Sequence, residues 1–353
     1  MTFRDGQPTV TIPAPRAVWQ SLIQSDADAV VSQSLAWRDA ICGAGRYQDV
    51  SRLYEFPSGR SVILPLARHR RGLPWLAVAA SWPGAWGVGG PISQGGRTNA
   101  PEAAAVLADA AQGGGLGVKI RLRYNADGAW LREAGQFQVE DHGFLVLDLA
   151  GGFGHVWQHR FRGTARTAVR KAERSDIDVD VGRSGRLLSE FCDLYDKSIR
   201  RWAGMQHEPL RLTRWRTIRE TSPRMLASAA RSFGHDFAIW VARSRGEPVA
   251  AIIVLRSGGQ AKYWRGAMDK ELAAPLRANE LLHRLAIEEA CRDGYRFYDM
   301  GFARPGSHLA EFKKKLGATL HTSHTLRAER LPLHTLDQRS RAMIKKMLGF
   351  RDV

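Results

Sequence analysis

Three consecutive lysines, Lys313, Lys314 and Lys315, follow Phe312 in the segment EFKKKLGA and stop before a glycine. A lysine ammonium beside a reacting carbonyl can stabilise a developing oxyanion, and neighbouring lysines can bind phosphate groups. The spacing alone favours another interpretation, an amphipathic helix whose apolar residues face inward while all three lysines are solvated. The residues by themselves leave both interpretations open.

Two more candidates lie near the carboxyl end of the predicted strand YRFYDMG, where ligand crevices occur in open sheets. Asp299 could orient an attacking amine or accept its proton, and it could equally be a structural acid that pairs with an arginine. Arg304 follows it in the loop. Arg265, after KYW on another predicted strand, could face a donor cleft or lie as a plain charge on an edge strand.

A basic helix is predicted in HVWQHRFRGTARTAVRKAERSD. Its cations lie on several faces, so only some can contact the phosphates of a polyanion and the rest are solvated. The candidates for phosphate contact are Arg166, Arg170 and Lys171.

No metal site is indicated. His321 and His324 are three residues apart on a predicted strand, which places them on opposite faces. The cysteines, Cys42, Cys192 and Cys291, are far apart and lack CxxC spacing. We therefore interpret them as buried thiols, neither a disulfide framework nor zinc ligands.

The elements that must position these residues alternate between helix and strand, so the fold class is α/β (α+β). The chain of 353 residues is long enough for two domains. The strand GFLVLDLA is followed by a glycine-rich stretch, which predicts a boundary between residues 1–150 and 151–353. The second half runs helix, strand, two helices, three strands, long helix, strand.

Charge is distributed unevenly between these halves. Of the net charge of +17, residues 1–150 contribute 14 Lys or Arg against 13 Asp or Glu, and residues 151–353 contribute 38 against 22. Such an excess indicates a polyanionic partner for the second half, with nucleic acid the leading candidate and a basic proteome background the alternative. No membrane-spanning run or signal peptide is visible, so we expect a cytoplasmic monomer without stable membrane insertion.

Several stretches resemble the FemABX family of aminoacyl-tRNA-dependent transferases, which have an acetyltransferase-like (GNAT) fold. In the second half they are FRGTARTAVRKAERSDIDVDV, AKYWRGAMDKE, PLRANELLHRLAIEEACRDGYRFYDMGFA and EFKKKLGA. In the first half, VSQSLAWRDAI and SWPGAWGVGGPIS are similar to the family's opening helix and its Gly-Pro loop.

The resemblance implies two GNAT-like domains that face a common cleft, a C-terminal helix that packs back on the first domain, and charged tRNA as co-substrate without a further cofactor. An acceptor amine would attack the aminoacyl ester, with positioning supplying much of the rate. It further implies Lys313 as the oxyanion stabiliser, Phe312 as a wall for the terminal base or ribose, and Lys314 and Lys315 on phosphate.

On the acceptor side the resemblance implies a pocket near Trp37, Gly90, Pro91 and Gln94. Relatives that act on peptidoglycan precursors commonly carry an acidic residue shortly after the Gly-Pro pair, whereas this chain has Gln94, which cannot act as a base. A lysine that some relatives place after the tryptophan is also missing, because Asp-Ala-Ile occupies positions 39–41. The acceptor is therefore either a peptidoglycan precursor or a small peptide such as a natural-product intermediate.

Two other functions compete with this one. An acyl-CoA-dependent N-acyltransferase would use the same fold, but it normally has a glycine-rich turn before the long helix to grip pyrophosphate, and this chain reads LAAPLRANELL. A non-enzymatic RNA-binding or membrane-surface protein is the third possibility, because the C-terminal LDQRSRAMIKKMLGF is a basic amphipathic pattern.

Overall fold

The structure is a computed structural model and describes residues 7–113 and 115–330. Its strands are β1 (Thr9–Thr11), β2 (Tyr47–Asp49), β3 (Arg52–Glu55), β4 (Ser61–Leu64), β5 (Ala67–His69), β6 (Val78–Ala80), β7 (Ile92–Ser93), β8 (Gly117–Arg121), β9 (Gln138–Asp148), β10 (Asp178–Arg183), β11 (Phe237–Ser244), β12 (Glu247–Ser257), β13 (Gln260–Met268), β14 (Phe297–Phe302) and β15 (Thr319–Glu329). Its helices are α1 (Arg16–Ser25), α2 (Leu35–Gly43), α3 (Ala100–Gln112), α4 (Ala129–Arg132), α5 (Gly152–His155), α6 (Gly163–Glu173), α7 (Leu188–Gln206), α8 (Leu210–Glu220), α9 (Pro223–Phe233), α10 (Lys270–Leu276), α11 (Ala278–Arg292) and α12 (His308–Lys315). Within these described ranges, no helix has the length and apolar character that a membrane crossing requires.

One continuous sheet of 11 strands runs through both halves of the chain, in the order β10-β11-β12-β13-β14-β9-β15-β8-β6-β5-β2. A smaller sheet contains β1, β3, β4 and β7. Strands β10 to β13 are antiparallel neighbours, and β13 runs parallel to β14. This mixed arrangement is the α/β class that the sequence predicts.

Strands β13 and β14 separate soon after they begin. Their pairing ends at Lys262 with Asp299, although β13 continues to Met268 and β14 to Phe302. On this side the backbone beyond Lys262 therefore borders a crevice instead of a paired strand. Ligands bind in such crevices at the carboxyl ends of strands in open sheets.

The two halves of the chain exchange strands. β9, from the first half, lies between β14 and β15, and β15, from the end of the described chain, pairs with β8 of the first half. The boundary after residue 150 stays a prediction, and the sheet is continuous across it. The predicted C-terminal helix falls in residues 331–353, outside the described residues.

Two predicted helices are interrupted. The long helix from PLRANELL divides at Arg277, which has a left-handed φ of 59° and follows Pro275, a residue that cannot donate a helical hydrogen bond. The basic segment has a π-helical turn over Val156–Arg160, an extended residue at Phe161, and then α6 from Gly163. At this break the amide of Arg162 donates to the carbonyl of Lys315, 2.9 Å away. The second break therefore joins the backbone of this segment to the end of α12.

Candidate functional site

The three lysines of α12 have three different environments. Successive helical residues are rotated by about 100°, so the side chains diverge from one another. Lys313 is buried, at 3% exposure, whereas Lys314 pairs with Glu311 at 2.9 Å and Lys315 is exposed. The fully solvated arrangement is therefore wrong for Lys313.

Lys313 points into the crevice between the diverging strands. Its Nζ donates to the carbonyl oxygen of Phe302 at 2.9 Å, which uses one of its three N–H donors. Burial lowers the pKa of Lys313 to about 8; the nearby Asp299 opposes this shift and Lys262 adds to it. The side chain thus presents a poorly hydrated ammonium, the form of lysine that interacts most strongly with a nearby anion.

Asp299 is completely buried and both of its carboxylate oxygens are engaged. Oδ2 accepts from Lys262 Nζ at 2.5 Å, and Oδ1 accepts from the amide of Gly301 at 2.7 Å. The geometry matches the structural-acid interpretation, with a lysine where an arginine was expected. In this arrangement Asp299 is the counter-charge of Lys262 and Lys313, and each of its oxygens already accepts one hydrogen bond.

Behind Lys313 lies a buried histidine that the sequence analysis did not single out. The Nδ1 of His283 lies 3.3 Å from the hydroxyl of Tyr298, and its ring meets that of Phe312 edge-on at 5.5 Å. Burial, and to a lesser degree Lys313, lowers the pKa of His283 to about 3, so the imidazole is neutral. Its position on the apolar face of NELLHRLAIEEA was the only available signal, and that pattern is typical of a core residue.

A pocket of about 230 Å³ adjoins this cluster between α6, α12 and the start of α11. It is lined by Thr164, Ala165, Thr167, Ala168, Lys171, Arg277, Glu280, Phe312, Lys315 and Leu316. The structure thus brings together three predicted residues, Phe312, Lys315 and Lys171. The sequence did not indicate Arg277, Thr164 or Thr167 as pocket residues. Arg277 lies at the unpredicted break between α10 and α11.

Glycine at position 317 allows α12 and the basic segment to approach closely. Gly317 has φ of +90°, and a Cβ there would lie 2.8 Å from the Cβ of Arg160 and 2.9 Å from its carbonyl oxygen. A larger residue would push α12 away from the chain that leads into α6. The glycine that ends the lysine run is therefore needed for the pocket to close.

The other cations of the basic helix have separate roles. Arg166 donates through Nη1 to the carbonyls of Trp157, Gln158 and Phe161, at 3.2, 2.9 and 2.7 Å, and so closes the turn before α6. Arg170 is exposed and does not line the pocket. Of the three phosphate candidates on this helix, only Lys171 lines the pocket.

Arg265 and Arg304 lie at the edges of the crevice. Arg265, on the splayed part of β13, donates to the Thr221 hydroxyl at 3.1 Å and to the Trp264 carbonyl at 2.8 Å. Burial lowers its pKa. Arg304 is exposed in the turn after β14. Arg265 therefore links β13 to the segment between α8 and α9, and Arg304 faces solvent.

The residues assigned to an acceptor pocket do not share one surface. Trp37 is fully buried, with ring centroids 5.7 Å from Trp86 and 5.6 Å from Trp264, so it packs the two halves together. The Pro91 carbonyl accepts from the Gln33 amide at 3.0 Å, inside the structure.

The other two residues of that set, Gly90 and Gln94, differ from each other in exposure. Gly90 is buried, with φ of +54°, and a Cβ there would lie 3.2 Å from the Arg123 amide nitrogen, so the close backbone approach requires glycine. Gln94, by contrast, is exposed. An acceptor role for this set stays a prediction.

The positions of the two histidines on β15 agree with the prediction from the sequence. His321 and His324 pair with Phe144 and Asp141 on the neighbouring strand and so lie on opposite faces of β15. Throughout residues 7–113 and 115–330, no three His, Cys, Asp or Glu side chains group closely enough to hold a metal ion.

Comparisons with known proteins identify a domain family and similar folds. Residues 159–314 match a family model described as an acetyltransferase (GNAT) domain. The solved structure of FemX is similar with a TM-score of 0.68 and 12% identity, over 93% of this chain and 99% of that chain. No match was found among curated protein sequences.

Two further solved structures have the same fold. L-PGS from Bacillus licheniformis gives a TM-score of 0.55 at 14% identity, over 99% of this chain and 100% of that chain. A tandem GNAT protein from the clavulanic acid biosynthesis pathway gives 0.51 at 14%, over 92% and 98%. The chain therefore contains an acetyltransferase (GNAT) domain over residues 159–314 and shares its overall fold with FemX and with a tandem GNAT protein, which is the fold that the resemblance predicts.

Proposed function

We propose that the protein transfers an aminoacyl group from charged tRNA to an amine of a peptide acceptor and so forms a peptide bond. The observation that carries this proposal is the position of Lys313. Its buried ammonium lies at the splay of β13 and β14, and the neighbouring residue, Phe312, lines a pocket with three cations.

In this proposal the 3′ end of the tRNA enters the pocket. Lys171, Arg277 and Lys315 lie near its phosphates, and Phe312 contacts the terminal base or ribose. The aminoacyl ester then extends toward Lys313. The tRNA end is then held both in the pocket and near Lys313, so it has less translational and rotational freedom. This loss lowers the entropic cost of bringing the two substrates together.

The chemical step needs one new bond and one broken bond. The neutral acceptor amine attacks the ester carbonyl, and a free N–H of Lys313 donates to the oxyanion that forms. Collapse of the tetrahedral intermediate expels the terminal ribose hydroxyl, which takes up the proton that the amine loses. No cofactor is required, because the ester is already activated.

The acceptor is a peptide, either a natural-product intermediate or a peptidoglycan precursor. Because Asp299 is held by Lys262 and Gly301, we assign it the role of positioning the two ammonium groups. The acceptor amine then loses its proton to the leaving ribose oxygen.

An acyl-CoA donor is the alternative for the same pocket, because CoA also carries phosphates. The turn that precedes α11 contains Arg277 where a glycine would let pyrophosphate approach the backbone, which supports tRNA over CoA.

The test incubates purified full-length protein with mixed charged tRNAs and, separately, with acetyl-CoA, in the presence of amine-bearing peptides. The expected result is acceptor-dependent consumption of one charged tRNA, with an amide product. Consumption of acetyl-CoA alone, or salt-sensitive tRNA binding without any amide formation, would overturn the proposal.

A further inference from the structure

A long connection between β5 and β6 exposes apolar side chains at the far end of the large sheet. The exposed residues are Leu73, Trp75, Leu76 and Val78, and Trp75 is 60% exposed. Four large apolar side chains are thus exposed within six residues, and a cluster of exposed apolar side chains marks an interaction site.

The loop that carries this patch is folded. The Leu76 amide donates to the Leu73 carbonyl at 3.0 Å, which closes a short 3₁₀ turn over Pro74–Leu76. At the base of the loop, the Leu116 amide donates to the Ala77 carbonyl at 2.9 Å. The apolar side chains are therefore displayed on an ordered projection.

Arginines surround the projection. Arg70 and Arg71 are exposed just before it, and the amide of Arg70 donates to the carbonyl of Arg46, which is also exposed. Arg46 in turn donates through Nη1 to the carbonyl of Arg219 at 2.9 Å. The surface therefore continues from the loop onto α8, and Arg70, Arg46 and Arg219 lie along it.

A second exposed tryptophan lies at the α8 end of this surface. Trp215 is 58% exposed, and the guanidinium of Arg219 lies 4.5 Å from its ring centroid. Glu220, next to it, is an acidic group on the same surface. Tryptophan beside arginine is the composition found where proteins meet the polar boundary of a bilayer.

We propose that this surface, residues 70–78 with Arg46 and the exposed side of α8, docks the protein on an anionic lipid bilayer. Leu73, Trp75 and Leu76 enter the boundary between headgroups and acyl chains, and the arginines contact lipid phosphates. A nucleic acid would satisfy the arginines but not the two leucines.

The chain's own C-terminal residues complement this surface less well than an anionic lipid does. Residues 331–353 contain five Lys or Arg against two Asp, so their charge has the same sign as that of the arginines. Charge complementarity therefore favours the bilayer as the occupant.

This inference does not depend on the proposed transfer reaction. Four strands separate β14, beside Lys313, from β5, beside the loop, which corresponds to about 24 Å across the sheet. A change in the loop can therefore alter lipid binding without touching the crevice.

The test is sedimentation of full-length protein with phosphatidylcholine vesicles, with and without phosphatidylglycerol, over a range of salt. The wild type should sediment with the anionic vesicles and lose this binding as salt rises. A variant that combines Leu73→Ser, Trp75→Ser and Leu76→Ser should bind on the order of tenfold more weakly. Leu272→Ser, at an exposed leucine on α10, is the matched apolar control, and it should bind like the wild type.

Charge is tested with Arg71→Glu, and Arg132→Glu on α4, also exposed, is the matched control. Arg71→Glu should weaken binding to anionic vesicles and Arg132→Glu should not. Wild-type binding to none of the vesicles, or equal binding by the triple variant, would overturn the proposal. So would loss of tRNA binding in place of vesicle binding, which would assign the surface to RNA. A fall in the thermal unfolding midpoint of the triple variant, with no vesicle binding by the wild type, would mean that another part of the chain covers the patch.

Discussion

Lys262 and Asp299 form a buried ion pair at the last paired position of β13 and β14, with Nζ and Oδ2 2.5 Å apart. The pair lies at the point where the strands diverge, and the Lys313 ammonium lies close enough for both groups to affect its pKa. One carboxylate thus balances two buried ammonium groups. The local excess of positive charge is fixed before any substrate enters, as electrostatic stabilisation of an oxyanion requires.

Asp299→Asn should therefore destabilise the fold. It leaves the buried Lys262 and Lys313 without a counter-charge, and breaking a buried pair from one side costs about 3–5 kcal/mol. Urea denaturation measures the loss in the free energy of unfolding. Asp148→Asn, which removes the partner of Arg160 at a 44% exposed side chain, is the matched control and should cost about 1 kcal/mol or less. Equal stability of Asp299→Asn and the wild type would contradict the assigned role.

Lys313→Met should separate catalysis from stability. Methionine fills a similar volume without a charge, so the fold should be as stable as the wild type or more stable, because a poorly hydrated ammonium is removed. The turnover number should fall by about 10²–10³, the effect of removing one oxyanion donor. Steady-state kinetics with the charged tRNA of the proposed reaction measures this change.

The control for that variant lies one residue away. Lys314→Met breaks only the partly exposed pair with Glu311 and should change turnover by less than about threefold. If both substitutions slowed the reaction equally, the buried position of Lys313 would have no special role.

The pH dependence of kcat/KM should follow the protonation of Lys313. Its pKa in the folded protein is about 8, below the ordinary value of 10.5, so it is mostly protonated at pH 7 and neutral above pH 9. Because the ammonium is the active form in the proposed reaction, kcat/KM should decline about tenfold per pH unit above about pH 8. His283 does not contribute, since its pKa of about 3 keeps it neutral over this range. Rates corrected for spontaneous ester hydrolysis measure the profile.

Lys119 provides the control for the assignment of that decline. Burial, with Arg121 and Arg327 nearby, lowers its pKa to about 8 as well. Lys119→Met should keep the alkaline decline if Lys313 is responsible. Loss of the decline in Lys119→Met would transfer the assignment to the first half of the chain.

The sequence could predict the elements and part of the site. The family-like motifs indicated the elements that carry Phe312, Lys315 and Lys171. In the structure these three residues line one pocket. The exposed or buried state of each lysine in α12 was not predictable from spacing, because it depends on where the neighbouring strands diverge.

The other features of the fold and the site could not be predicted, because they depend on contacts between residues that are far apart in the sequence. Lys262 and Asp299 are 37 positions apart and meet only through the parallel pairing of β13 with β14. Arg277 reaches the pocket only because the predicted long helix breaks there. The insertion of β9 between β14 and β15 depends on strand pairing across the whole chain, which no local pattern encodes.

The pocket cations should contribute to tRNA affinity individually. Lys171→Glu places a carboxylate where a phosphate would bind, so the Kd for charged tRNA should rise by about tenfold or more at low salt. The slope of log K against log salt should also fall by about 0.7–0.9, the value for one lost phosphate contact. Binding titrations at several salt concentrations measure both quantities, and turnover at saturating tRNA should change little.

Arg170→Glu is the matched control, because it makes the same charge reversal on the adjacent residue of α6, which is exposed but does not line the pocket. General electrostatic attraction to a basic domain would make the two variants equally weak, since both change the net charge by the same amount. A specific phosphate site weakens only Lys171→Glu. Equal loss in both variants would therefore remove the pocket from the proposed path of the tRNA end, while the role of Lys313 would still rest on its own pH profile and turnover.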